Sequence, residues 1–169
     1  PLGELLDELR LFKSSVEIKL MQRAADITAE GHRRAMKACR PGVNEYAMDA
    51  ELQYAFVRGG SRAPAYSSIV GAGDNSCILH YVKNDAEIKD GDLVLIDAGC
   101  EYQYYASDVT RTFPANGKFS KEQAEIYEIV LAAQIAAIEA IKPGTPYGAL
   151  HDISVRVITK GLIKLGLIE

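Results

Sequence analysis

The stretch LVLIDAGCEYQYYASDVTRTFP, residues 93–114, decides how this chain is interpreted. Its alternating apolar residues predict two β-strands joined by a turn. It also contains Asp97 and Asp108, at positions where a buried hairpin normally has valine or isoleucine. A turn at about Tyr102 and Gln103 pairs the two aspartates directly across the hairpin, with Cβ atoms about 5 Å apart on one face. The stretch therefore predicts two like charges held side by side.

Two carboxylates this close repel each other, and burial increases the cost. A shared proton, a paired arginine or a bound cation would offset it. Arg111, the nearest arginine, is predicted to lie on the opposite face from Asp108, and no D-T/S-G loop of the aspartic-protease type surrounds either aspartate. A hard divalent cation such as Mn²⁺ or Mg²⁺ is the preferred interpretation. The alternative is that one aspartate lies in water at a strand end and makes a turn.

The histidines give a further candidate. His80 lies near the end of the run CILHYV, which we predict to be a strand, and it could serve the same site as a proton donor or ligand. A structural histidine at a strand end is the competing interpretation. His32 and His151 lie in amphipathic helical patterns and are expected at the surface. The segment GAGDN, residues 71–75, contains Gly-x-Gly but stands between strands, so a turn is expected there and not a dinucleotide-binding loop.

Composition excludes several classes of function. The 169 residues are 48% hydrophobic and 25% charged, which is typical of one soluble globular domain. The net charge of −4, with no basic block, gives no footprint for nucleic acid. No apolar run is as long as a membrane span, so no membrane partner is expected. Cys39, Cys77 and Cys100 form no CxxC motif, which predicts free thiols and a reducing, cytoplasmic location.

Helix signals occur in two sets. In the first, Ser14 and Glu17 predict a capping box for a helix that runs to about Arg40, and Asn44 is a candidate N-cap for the next helix, which ends near Gly59. Short β-rich runs broken by glycine follow this pair of helices.

The second set repeats the first. Ser120 and Gln123 predict another capping box, Thr145 and Pro146 suit the start of a fourth helix, and Gly161 is placed near its end. A shift of 102 positions aligns Arg40-Pro41-Gly42 with Lys142-Pro143-Gly144, Met48 with Leu150, Phe56 with Ile158, and Arg58-Gly59 with Lys160-Gly161. We therefore predict a duplicated α-α-β unit, with two unrelated Pro-Gly turns as the alternative. Strands of a second copy are not expected, because only eight residues follow Gly161.

Three phrases resemble the catalytic domain of the bacterial Xaa-Pro aminopeptidase (aminopeptidase P) family. They are MQRAADITAEGHRRAMKACRPG (21–42), IVGAGDNSCILHYVKND (69–85) and DGDLVLIDAGCEYQYYASDVTRTFPANGKFS (90–120). The resemblance implies the α+β pita-bread fold, which creatinase, prolidase and methionine aminopeptidase share. In that fold two α-α-β halves related by a pseudo-twofold surround a two-metal centre, which agrees with the repeat.

The resemblance also implies roles for three residues. Asp97 would chelate one metal, Asp108 would bridge both metals, and His80 would bind substrate and steady the tetrahedral intermediate. Two divalent ions, usually Mn²⁺ in this family, would hold a bridging hydroxide that attacks the scissile carbonyl. The expected partner is a peptide with proline in second position, from which the N-terminal residue is removed.

The chain matches only part of the family pattern. Residues 1–10 are assigned to a linker remnant and 11–169 to an incomplete pita-bread catalytic domain, with the first repeat at about 14–115 and the helices of the second at about 120–161. The histidine and two glutamates that complete the family's metal site cannot be assigned, so we expect no further metal ligand in this chain. We expect a truncated fragment that is inactive alone, with an unpaired sheet edge that favours self-association. A non-catalytic pita-bread module that binds peptides, and a prolidase- or methionine-aminopeptidase-type hydrolase, are the alternatives.

Overall fold

The computed structural model describes residues 2–169, which form two compact units, one ending at Lys118 and the other comprising Phe119–Glu169. The first unit combines helices with antiparallel strands and the second is a pair of helices, as expected for an α+β chain. The elements in chain order are α1 (Leu2–Leu11), α2 (Ser15–Ala38), α3 (Glu45–Gly59), β1 (Ala63–Pro64), β2 (Ile69–Ala72), a 3₁₀ turn (Gly73–Cys77), β3 (Leu93–Ala98), β4 (Cys100–Tyr102), β5 (Tyr105–Ala106), β6 (Val109–Pro114), α4 (Lys121–Glu139) and α5 (Tyr147–Lys164).

The starts of α2 and α4 are those that local sequence predicts, whereas α1 was not predicted and lies in the segment assigned to a linker remnant. Both capping boxes form, at Ser14 for α2 and at Ser120 for α4. The prediction for Asn44 is only half right. It occupies the N-cap position of α3, but its side chain makes no capping bond and its Nδ2 lies 3.5 Å from the carbonyl oxygen of Asp85. Among the residues described, no helix is long and apolar enough to cross a bilayer.

The strands form two small antiparallel sheets, in the orders β1-β4-β5 and β2-β3-β6. The hydrophobic core packs against the second sheet. In β3, alternate residues are buried against α2 and α3, while Asp97 lies on the other, half-buried face. The apolar cluster between the sheet and the helices includes Ala24, Ile27, Met48, Leu52, Phe56, Val70, Ile88, Val94, Ile96 and Ala98.

The predicted hairpin forms, but its turn lies one residue later than expected. Gln103 and Tyr104 both have positive φ and occupy the turn, so Asp97 pairs with Thr110 and not with Asp108. Moving a two-residue turn by one position moves the cross-strand pairing by two residues. Because side chains alternate with a period of two, this shift leaves both aspartates on the same face.

The strand predicted at CILHYV is wrong. The segment after β2 forms the 3₁₀ turn and then a loop, in which His80 has a φ of 56°. The free edge of β2 is already occupied by the side chain of Asn84, which accepts from Val70 N–H and donates to the Ser68 carbonyl. A further strand therefore has no backbone groups to pair with there.

The two helix pairs make matching close contacts. A Cβ on Gly59 of α3 would lie 2.8 Å from Ile27 Cγ1, and a Cβ on Gly161 of α5 would lie 2.6 Å from Ile129 Cγ2. Ile27 and Ile129 are themselves related by the 102-residue shift. Gly161 lies in the last turn of α5, near its end as predicted. The matching contacts support the duplicated unit, which stays a prediction.

Candidate metal centre

The three residues that the sequence singled out meet in one open cleft of about 350 Å³. The cleft contains Asp97, which lies on the sheet face opposite the helices. Its lining consists of Tyr66, Ser67, Ile69, His80, Val82, Asp97 and Asp108.

The two carboxylates converge on a single hydroxyl group. The Tyr66 hydroxyl oxygen lies 2.6 Å from Asp97 Oδ1 and 2.7 Å from Asp108 Oδ1. Tyr66 comes from the segment after β1, where the N–H of Ala65 donates to the carbonyl of Gly99 at 2.8 Å. That backbone bond ties the tyrosine to the interruption between β3 and β4. The proximity of the aspartates is therefore real, although their register differs from the prediction.

The donor set fits a divalent cation. Burial raises the pKa of Tyr66, and its hydrogen bonds to Asp97 and Asp108 raise it further, so the hydroxyl stays protonated. One hydroxyl proton can be donated to only one of the two carboxylates at a time. The repulsion between the carboxylates is therefore only partly offset by Tyr66, and carboxylate oxygens are the ligands that hard divalent ions prefer.

His80 lies at the rim of the same cleft with an exposed side chain. The chain directly after its left-handed backbone is anchored twice, by Tyr81, whose hydroxyl donates to Glu45, and by the buried side chain of Asn84. Sequence reasoning missed both Tyr66 and Glu45 as parts of this site. An acidic residue in the first turn of a helix is explained by the helix dipole alone, so the sequence gives no signal that Glu45 binds a distant loop.

The prediction that His32 lies at the surface is wrong. Its side chain is only 3% exposed, and its Nε2 lies 3.3 Å from the carbonyl oxygen of Ala98, next to Asp97. Nδ1 is buried and has no hydrogen-bond partner. Burial lowers the pKa of His32, Arg111 lowers it further, and the nearby carbonyls oppose the shift. His151, by contrast, is exposed as predicted.

The described chain supplies two carboxylates to the cleft. Within residues 2–169, no group of three or more His, Cys, Asp or Glu side chains is arranged to hold a metal ion. Divalent ions of the Mg²⁺ and Mn²⁺ type take about six ligands. Asp97 and Asp108 can therefore anchor such a centre without completing it.

Comparison with known proteins identifies the family. The sequence model of metallopeptidase family M24 matches residues 19–167. The chain belongs to this family. The resemblance to bacterial aminopeptidase P and the pita-bread fold that it implied are thereby confirmed. Membership of a metallopeptidase family also implies divalent metal ions.

Similar proteins include the Xaa-Pro aminopeptidase of Escherichia coli (strain K12), 52% identical over 162 residues, a match that covers 96% of this chain and 37% of the relative. Among solved structures, the aminopeptidase PepP of Pseudomonas aeruginosa is 59% identical with a TM-score of 0.94, over 97% of this chain and 38% of that one. The proline aminopeptidase P II of Yersinia pestis is 51% identical with a TM-score of 0.96, over 98% and 38%. The chain thus spans less than two-fifths of the length of these M24 relatives.

Proposed function

We propose that this chain contributes Asp97 and Asp108 to the dinuclear metal centre of an aminopeptidase that removes the N-terminal residue from peptides with proline in second position. The observation that carries the proposal is the convergence of both carboxylates on the Tyr66 hydroxyl, in an open cleft that His80 also lines. The resemblance to Xaa-Pro aminopeptidases supports the reaction and the substrate class. The three free cysteines fit a reducing compartment, so we place the protein in the cytoplasm.

Each residue has a separate task in this proposal. Two divalent ions, with Mn²⁺ preferred, lower the pKa of water and polarise a carbonyl when they are bound. Asp97 would hold one ion, and Asp108 would serve as a ligand to both. Tyr66 keeps the two carboxylates oriented through its hydroxyl. His80, exposed at the rim, contacts the scissile carbonyl of the peptide and steadies the charge that develops on it.

The ligand count sets the expected behaviour of the chain alone. Two aspartates supply at most four oxygen ligands for two ions. We therefore expect weak Mn²⁺ binding and no release of an N-terminal residue by the isolated 169-residue chain.

A Mn²⁺ titration tests the metal part of the proposal, with the EPR signal of free Mn²⁺ as the readout. Asp97→Asn and Asp108→Asn each remove one charged ligand and are expected to weaken binding by at least about tenfold. Asp152→Asn, an exposed carboxylate on α5, is the matched control and should bind as the unaltered chain does. Equal binding by all four proteins would overturn the assignment of the metal site.

A peptide assay tests the reaction, with a short Xaa-Pro peptide, Mn²⁺ and the Asp108→Ala variant. No release by either protein is expected. Release that disappears in Asp108→Ala would contradict the expected inactivity and show that further ligands complete the site around Asp108. Release that persists in Asp108→Ala would contradict the role of Asp108.

A further inference from the structure

The hairpin that carries both aspartates is interrupted at Gly99 and Asp108. The pairing has the same register on both sides of the interruption, with Ala98 opposite Val109 and Glu101 opposite Ala106. No residue is inserted, so the interruption is not a β-bulge, in which two residues on one strand oppose one on the other. We therefore attribute the interruption to one peptide group that points in a different direction from its neighbours in the strand.

The missing ladder bond identifies that peptide group. Cys100 and Ser107 face each other, and a hydrogen-bonded antiparallel pair exchanges two N–H···O bonds. The N–H of Ser107 donates to the Cys100 carbonyl at 2.9 Å. The N–H of Cys100 donates instead to two side-chain hydroxyls, Thr28 Oγ1 at 3.0 Å and Ser107 Oγ at 3.1 Å.

The Ser107 carbonyl points at Gly99 and not at Cys100. A Cβ on Gly99 would lie only 1.7 Å from the Ser107 carbonyl oxygen, so this approach requires glycine. The rotated peptide joins Ser107 to Asp108, and it leaves Asp108 outside both flanking strands. The direction of the Asp108 side chain therefore depends on how this peptide is held.

Thr28, in α2, holds the Ser107–Asp108 peptide group from the helix side. The residue is fully buried in α2, and its Oγ1 lies 2.5 Å from Ser107 Oγ. The other buried residues of α2, apart from His32, are Ala24, Ile27, Gly31 and Ala35. Threonine is a weaker helix former than the alanines at positions 24 and 35. Its hydroxyl pairs with Cys100 N–H and Ser107 Oγ at the strand interruption.

We propose that Thr28 is a positioning residue for the metal centre, an inference that rests on the proposed function. Its hydroxyl, together with that of Ser107, replaces the Ser107 carbonyl as acceptor for Cys100 N–H. This replacement allows the Ser107–Asp108 peptide to rotate without leaving a buried donor unpaired. The rotation aims the Asp108 carboxylate at the Tyr66 hydroxyl that Asp97 also contacts. Thr28 thus acts on the metal through Asp108 without touching it.

The test is a Mn²⁺ titration of Thr28→Val, which keeps the shape of the side chain and removes the hydroxyl. We expect the dissociation constant to rise about tenfold, the range seen when groups that orient metal ligands are lost. Thr28→Ser restores the acceptor and should restore most of the affinity. Ser61→Ala is the matched control, because it removes another buried hydroxyl, which donates to the carbonyls of Ala63 and Glu101. It should lower stability and leave the Mn²⁺ dissociation constant unchanged.

The EPR line shape of bound Mn²⁺ gives a second readout, since it reports the symmetry of the ligands and not the stability of the fold. Unchanged affinity and line shape in Thr28→Val, with weaker binding in Asp108→Asn, would overturn the positioning role and leave the proposed function standing. Unchanged binding in Asp108→Asn as well would overturn both. Where Thr28→Val does not fold, Ser107→Ala removes the partner hydroxyl. Weaker binding by Ser107→Ala supports the proposal, and unchanged binding overturns it.

Discussion

The carboxylate of Glu45 accepts a 2.8 Å hydrogen bond from the hydroxyl of Tyr81, the residue that follows His80. Glu45 has no exposed surface, and its oxygens also accept from the N–H groups of Ala72 and Ala86 and from the side-chain amide of Asn75. Burial and the bond to Glu45 raise the pKa of Tyr81 to about 12, so the hydroxyl remains a donor at neutral pH. One carboxylate therefore ties together both ends of the loop that presents His80.

We expect Glu45→Gln to destabilise the chain by about 3 kcal/mol. The glutamine keeps the shape but replaces one acceptor oxygen with an NH₂ group, which leaves buried donors facing each other. Urea unfolding measures the change. Glu51→Gln removes a carboxylate of the same helix that pairs with Arg34 near the surface, and it should cost less than about 1 kcal/mol. Equal losses in the two variants would contradict the role assigned to Glu45.

Two glycines of α5 should respond oppositely to alanine. Gly161→Ala places a methyl group 2.6 Å from Ile129 and should cost about 1–2 kcal/mol through overpacking. Gly148→Ala meets nothing within 4 Å and should stabilise the helix by up to about 1 kcal/mol. Thermal unfolding of both variants checks this. Stabilisation by Gly161→Ala would show that α4 and α5 do not pack as closely as described.

Tyr66→Phe should lower the stability of the metal-free chain at pH 7 by about 1 kcal/mol. The variant removes the donor shared by Asp97 and Asp108 and leaves their repulsion unrelieved. Added Mn²⁺ should recover more stability in the variant than in the unaltered chain, as measured by thermal unfolding. Tyr104→Phe, at a 96% exposed position of the same hairpin, is the control. It should change neither the stability of the metal-free chain nor the stability gained on adding Mn²⁺.

His32 should make the chain less stable in mild acid. Its pKa is lowered in the folded state, chiefly by burial, so below about pH 6.5 the unfolded chain binds a proton that the folded chain does not. The contribution of buried, neutral His32 to the free energy of unfolding should therefore be fully present above about pH 7. On acidification it should fall, by at most about 1.4 kcal/mol per pH unit for this one group.

His32→Leu should flatten this dependence between pH 7 and 5, and His151→Leu, at an exposed site, should not. Urea unfolding at a series of pH values gives both slopes. A slope that survives in His32→Leu would assign the proton uptake to another group.

Local signals predicted the parts of the fold that depend on neighbouring residues. The capping boxes at Ser14 and Ser120 each satisfy backbone donors three residues away, so four residues specify the start of a helix. The alternation of apolar residues likewise predicted β3 and β6, and it placed Asp97 and Asp108 on one face for a two-residue turn at either position. The resemblance of three sequence segments to the aminopeptidase P family then indicated that these aspartates bind metal ions.

The sequence by itself thus determined helices α2 to α5, the main hairpin and the shared face of the two aspartates. Only the tertiary structure decided which polar groups meet. Tyr66 reaches Asp97 across 31 residues, and Thr28 reaches Cys100 across 72. The side chain of Asn84 binds the edge of β2, where a further strand was predicted. The packing of α2 on the sheet buries His32. The physical reason is that a helix cap or a pleat is satisfied within a few residues, whereas a buried polar group needs partners that only the assembled fold brings near.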